Sequence, residues 1–215
     1  NNSSVENFLN LDSFGKNWGW RRSGSIENWS KLVINQSKKQ TISFQQFSGT
    51  ELWKRCKASR NLHELSHCED ISDKESTFVV GFKKDSQTTW HPPILWLGMG
   101  CERNTDKKFI EDSLNHFLDE NEISVLSIAG IATVDLKKDE KAILDIAKNN
   151  QWPIKFITAK QLSKENVPNP SQAVFDEIGS YSVAEASCLI AAGKDAKLLV
   201  EKHIFINKKF SGDRV

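Results

Sequence analysis

The sequence predicts an α/β fold: a C-terminal three-layer α/β/α domain with a mixed sheet over residues 93–215, preceded by a small α+β unit over residues 1–92. Three observations predict it. After Pro92-Pro93, apolar runs alternate with stretches of helical periodicity, the β-α-β order of a wound sheet. Before it, five of the seven tryptophans (Trp18, Trp20, Trp29, Trp53, Trp90) stand among polar spacers, a different texture. The double proline blocks both helix continuation and ladder donation, which marks a boundary.

In the first part, Ile26, Trp29, Leu32 and Val33 recur at helical spacing, with Ser25 as N-cap. Residues 41–47 alternate in β-forming residues and predict a strand. Residues 50–57 read as a short helix, 58–75 as a polar loop and 77–82 as a second strand. Phe44, Phe47, Trp53 and Phe78 are the expected core.

In the second part, Ile94-Leu95-Trp96-Leu97 is a short buried strand ending at Gly98-Met99-Gly100. Thr105 is the expected N-cap of a helix from Asp106 to Glu120, with Phe109, Ile110, Leu114, Phe117 and Leu118 inward. A strand over 123–131, a helix over 138–150 and a strand over 154–157 follow. After a helical stretch from Ala159, Ser171 caps a helix that Gly179 ends, and Ser182 caps a helix that Gly193 ends. Residues 198–200 and 203–206 are expected to close the sheet as an antiparallel pair.

The 29 Lys and Arg against 28 Asp and Glu exclude a simple polybasic nucleic-acid binder. No apolar run approaches the ~20 residues of a membrane span. The chain opens on Asn1-Asn2-Ser3-Ser4 with its one Met at Met99, and no signal-peptide pattern is present. The expectation is a piece of a longer, cytoplasmic protein whose four scattered cysteines are free thiols.

The chemistry concentrates where strands give way to helices. Gly98-Met99-Gly100-Cys101-Glu102-Arg103-Asn104-Thr105 reads either as a tight turn or as an anion-binding turn, with Arg103 as a forked donor. Cys101 there is a candidate nucleophile, its thiol expected to be activated by the helix start and Arg103. Asp135, Lys137 and Glu140 stand at a strand's C-terminal end, where open α/β sheets bind ligands, or serve as helix-start residues. Val167-Pro168-Asn169-Pro170-Ser171 is a rigid turn, and Ser182-Val183-Ala184-Glu185 has capping-box spacing. His63-Glu64-Leu65-Ser66-His67 fits the zinc-peptidase pattern, but its polar flanks read as a solvated loop or short helix.

Together these pieces resemble the CbiG family, the cobalt-precorrin-5A hydrolase of anaerobic cobalamin biosynthesis, whose C-terminal domain is shared with CobE of the aerobic route. Residues 98–105 look like the family's G-x-G-C-x-R-G-T turn, with Asn104 in place of the usual Gly. Residues 132–140 look like A-T-x-D-x-K-x-D-E, 167–171 like V-P-N-P-S, and 182–186 like S-V-A-E-A. Phe14 to Arg22, Asn28-Trp29 and Glu51-Leu52-Trp53 are similar to the central region of the long, cyanobacterial-type CbiG, which is often fused to a precorrin-3B C17-methyltransferase.

The resemblance implies opening of a corrin δ-lactone with loss of acetaldehyde. It implies a cobalt-precorrin tetrapyrrole as substrate, which carries the cobalt itself, so no cofactor and no metal site. A CbiG N-terminal domain and a fused or partner methyltransferase are the implied partners. The base would be Glu185, Asp135 or Glu140. Clamps for the substrate's carboxylates would be Arg103, Lys137 and the helix starts at Thr105 and Ser182, with Gly98, Gly100, Asn169 and Ser171 completing the binding set. The alternative is a non-catalytic, CobE-like carrier of corrinoid intermediates.

Overall fold

The computed structural model describes residues 9–56, 61–66, 76–84, 88–207 and 214–215. The fold is α/β, and it packs as two compact units. One comprises Asn1–Ile94 with Glu122–Ser127; the other comprises Leu95–Asn121 with Ile128–Val215.

The first unit contains β1 (Arg21–Ser23), α1 (Ile26–Ser37), β2 (Ile42–Gln46), β3 (Leu62–Glu64), β4 (Thr77–Val80) and β5 (Thr89–His91). Ser25 caps α1 as expected, its side chain accepting from the Asn28 N–H. The sheet order is β1-β5-β4-β2-β3, with β1 antiparallel and the other pairs parallel. The mixed sheet of this chain is therefore here. Parallel register places Phe44 beside Phe78, and their rings stack at 5.1 Å. Phe14 meets both edge-on, at 5.4 and 5.1 Å. Such pairs each add about 1 kcal/mol beyond area burial. Trp29 and Trp90 extend this aromatic core. Phe47 differs from expectation and is exposed: it lies just past the end of β2, and Gln46, the last residue of the strand, is the one that turns inward to bond Trp53.

Residues 50–57 form a 3-10 turn over Leu52–Arg55 rather than an α-helix. His63 and Glu64 lie on β3, where neighbours point to opposite faces, so the helical spacing that the zinc pattern requires is not present there. His67 lies outside the described residues.

The second unit contains β6 (Leu95–Gly98), α2 (Lys107–Glu120), β7 (Ile128–Val134), α3 (Lys141–Asn150), β8 (Ile154–Ile157), α4 (Ala159–Leu162), α5 (Gln172–Ile178) and α6 (Ala184–Ala192). Its described sheet is three-stranded and parallel, in the order β6-β7-β8. Right-handed crossovers put α2 and α3 on one face, where they pack on each other. On the other face α6 lies along β6 and β7, burying Ala186 with Val134, Ile157 and Leu162.

Several expected boundaries shift. Asp106, not Thr105, caps α2 by accepting from the Phe109 N–H at 3.0 Å. Thr105 is buried and its hydroxyl donates to the Glu102 carbonyl. The strand expected over 123–131 begins at Ile128, because 122–127 pairs with the first unit through Lys84 N–H to Glu122 and Ser124 N–H to Phe82. Residues 135–137 form a 3-10 turn before α3. Residues 198–200 and 203–206 do not pair with each other; a single bridge joins Ile206 to Arg214. Among the described residues, no helix is long and apolar enough to cross a membrane.

Candidate functional site

The four motifs that straddle strand-to-helix turns fold against one another. β6 ends at Gly98, and an added Cβ there would overlap the carbonyl oxygen of Ala184. Glycine thus lets the first turn of α6 lie directly on the strand end. Asn104 adopts φ +59°, the left-handed conformation that Asn tolerates better than most residues. Its N–H donates to Glu140 at 3.3 Å. Arg103 donates to Asp139 at 2.6 Å and to the Leu136 carbonyl at 2.7 Å. These bonds tie the glycine turn to the 135–140 turn, and the guanidinium holds the Asp139 carboxyl below its usual range.

The other two motifs join through Glu185. Only 2% exposed, it accepts from Asn169 N–H at 3.2 Å, Asn169 Nδ2 at 2.8 Å and Lys202 N–H at 3.1 Å. Lys202 Nζ in turn donates to the Asn169 carbonyl at 2.8 Å. Ser182 caps the start of α6, its Oγ accepting from Glu185 N–H, and Ser171 caps α5 by accepting from Val174 N–H.

This assembly lines an open-sided cavity of about 420 Å³ in the second unit. Gly98, Gly100 and Cys101 border it from one side, Ser182 and Glu185 from another, and Lys137 and Ser171 complete the expected residues that reach it. Arg103, Thr105, Asp135, Glu140 and Asn169 do not border it. The rest of the wall is largely apolar, with Leu97, Met99, Phe117 and Val183 among its contributors. The cavity is at the C-terminal ends of parallel strands, where open α/β sheets place ligands. Its volume is at the low end for ligand sites, enough for one edge of a large macrocycle rather than the whole.

Lys137 is only 8% exposed. Among the described residues its Nζ makes no ion pair. Cys101 differs from expectation: burial pushes its thiol up to about 11, outweighing the nearby cations Lys137 and Arg103. It lies five residues before the Asp106 cap, beyond the helix start that was to activate it. Lys202 and His203 also border the cavity, and the His203 ring packs edge-on to Phe117. Sequence reasoning missed both because it assigned His203 to a closing strand and Lys202 to the tight joint between the two closing strands.

Comparison with known proteins bears on these residues. Residues 95–211 match the family described as cobalamin synthesis G C-terminus. The chain is 28% identical over 213 residues to the cobalt-precorrin-5A hydrolase of Priestia megaterium, covering 93% of this chain and 57% of that protein. It is 34% identical over 119 residues to protein CobE of Sinorhizobium sp., covering 54% of this chain and 77% of that protein. The crystal structure of CobE, a protein from the cobalamin (vitamin B12) biosynthetic pathway, aligns with a TM-score of 0.44 at 28% identity, over 46% of this chain and 72% of that one. The chain thus spans little more than half the length of the longer relative.

Proposed function

For a chain that belongs to the cobalamin synthesis G C-terminus family, and so to cobalamin biosynthesis, we propose that its second unit binds a carboxylated corrin intermediate, and that the protein containing it opens the δ-lactone of cobalt-precorrin-5A. The observation that carries this reading is the convergence of four separate motifs on one cavity. Gly98 against Ala184, Arg103 with Asp139 and Asn169 with Glu185 hold 98–105, 135–140, 167–171 and 182–186 together.

Lactone opening needs an activated water, a stabiliser for the developing oxyanion and groups that orient the substrate. In this reading the cavity supplies orientation: an apolar wall for the ring edge, with Lys137, Ser171 and Ser182 for its acidic arms. Cobalt enters with the substrate. Of the three candidate carboxylates, only Glu185 borders the cavity, and both its oxygens are already engaged. Glu140 is held by Asn104, and Asp135 stands outside the cavity. His203 borders the cavity and is a further candidate, since an imidazole nitrogen can accept or donate a proton.

That distribution also favours a second reading, a carrier unit whose chemistry lies in a catalytic partner: the remainder of the longer relatives or a methyltransferase. Supplying cobalt-precorrin-5A to the chain and measuring bound tetrapyrrole and released acetaldehyde separates them. The proposal expects binding by the chain alone, and acetaldehyde once the amino-terminal remainder of the longer relative is added. Acetaldehyde from the chain alone would exclude the carrier reading. Absence of tetrapyrrole binding would overturn both.

A further inference from the structure

In the first unit, β5 ends on a histidine that solvent does not reach. His91 is 0% exposed, and both its ring nitrogens are engaged. Nδ1 lies 2.8 Å from the Gly81 carbonyl oxygen, and Nε2 lies 2.8 Å from Ser23 Oγ. These two contacts fix the tautomer. A carbonyl only accepts, so Nδ1 carries the proton and donates it to Gly81. Nε2 is then a bare lone pair, and the Ser23 hydroxyl donates to it. The Ser127 hydroxyl, 3.4 Å from Nδ1, is the more distant neighbour and turns to the same carbonyl.

Hydroxyl, imidazole and fixed acceptor, in that order, make up an activated serine: a nucleophile bonded to a base that a third group orients. Ser23 is partly exposed although its base is not. Its backbone is held by Trp29 Nε1, which donates to its carbonyl at 2.8 Å. Arg21 stands directly opposite His91 in the antiparallel ladder of β1 and β5. It is two residues from Ser23, so both side chains leave the same face of β1, about 7 Å apart along the strand. A cation there favours the oxygen on which charge develops when a hydroxyl attacks a carbonyl. Burial, with the charge of Arg21 added, holds the His91 imidazole below its usual range, so the base is unprotonated at neutral pH.

We infer that Ser23 and His91 are the nucleophile and general base of an esterase-type site in the first unit, with Arg21 as oxyanion stabiliser, and that its substrates are small carboxylic esters. Ser23 Oγ attacks the acyl carbon while its proton passes to His91 Nε2. The ester C–O bond breaks, and the alcohol leaves with that proton. The acyl group remains on Ser23 as an ester. A water then gives a proton to Nε2 and attacks the same carbon. The carboxylic acid leaves, and the proton returns to Oγ. The sum is ester plus water to acid plus alcohol. No tetrapyrrole takes part, so this site and the corrin reading stand or fall separately.

The test uses the full chain with p-nitrophenyl acetate and a fluorophosphonate. The wild type is expected to release nitrophenolate about 100-fold faster than Ser23→Ala, the lower range for a positioned base. Acetylation of lysines is common to both proteins and cancels. Arg21→Gln is expected to lose less, about tenfold. The wild-type rate is expected to rise with pH to a plateau whose midpoint lies below 6.5, the ordinary imidazole value, which a merely structural hydrogen bond would not produce. The fluorophosphonate adduct is expected on Ser23. His91→Gln is expected to match Ser23→Ala; if it fails to fold, Ser23→Ala and the mapped adduct decide alone. Equal rates for the wild type and Ser23→Ala, or an adduct elsewhere than Ser23, overturn the inference.

Discussion

Gly98→Ala is expected to destabilise the second unit by about 3 kcal/mol, the upper range for overpacking a core. The added methyl would overlap the Ala184 carbonyl oxygen and stand 2.6 Å from its carbon. Backbone has no rotamer with which to yield, so α6 itself must move. It is held down by the Ser187 hydroxyl, which donates to the Ala132 carbonyl at 2.9 Å, and by the burial of Ala186 under Val134 and Ile157. Gly100→Ala is the control. A Cβ there meets Val183 at 3.6 Å, ordinary contact, so its effect stays within about 1 kcal/mol. Urea unfolding of the two variants checks this, and equal losses would show that the close approach of α6 is not what Gly98 provides.

Glu185→Ala is expected to cost about 4 kcal/mol and to abolish ligand binding. The carboxylate is the shared acceptor for three donors from two distant segments, and its loss strands two backbone N–H groups and an amide in a largely buried place. Glu185→Gln retains one acceptor but presents an NH₂ to a donor, so about half that cost is expected. Because Asn169 also bonds Glu201 and accepts from Lys202 Nζ, loosening Glu185 frees the whole rim. Denaturation combined with corrin titration measures both effects. A Glu185→Ala protein with wild-type stability would contradict the role assigned to these bonds.

Local chemistry was legible in the sequence where a rule has one candidate. Ser25, Ser171, Gly179 and Gly193 end or begin helices as their types require, and Asn104 takes the left-handed conformation that its neighbours demand. The rule fails where two adjacent residues both satisfy it: Thr105 and Asp106 are both cap formers, and the choice falls to Asp106 because Thr105 turns to Glu102. It fails again where a long-range partner decides. The apolar run from Ile123 looks continuous, yet its first residues pair with the first unit and only the rest enters β7.

The candidate site was legible as a set of motifs, but not as roles. Capping-box spacing suggested that Glu185 would reach back to its own helix start; it reaches across 16 residues to Asn169 instead. Cys101 looked activated because charge is visible in a sequence and burial is not. Arg103 drew attention as a rare arginine, while Lys137, one lysine among many, is the cation that is buried on the cavity.

The central claim is that the four motifs build one corrin-binding cavity. Amide hydrogen exchange of the chain, with and without cobalt-precorrin-5A, tests it most directly. The account predicts binding with new protection at residues 97–101, 135–140 and 182–188, all flanking the cavity. Binding that protects only other parts of the chain, or leaves those three segments unchanged, would contradict it.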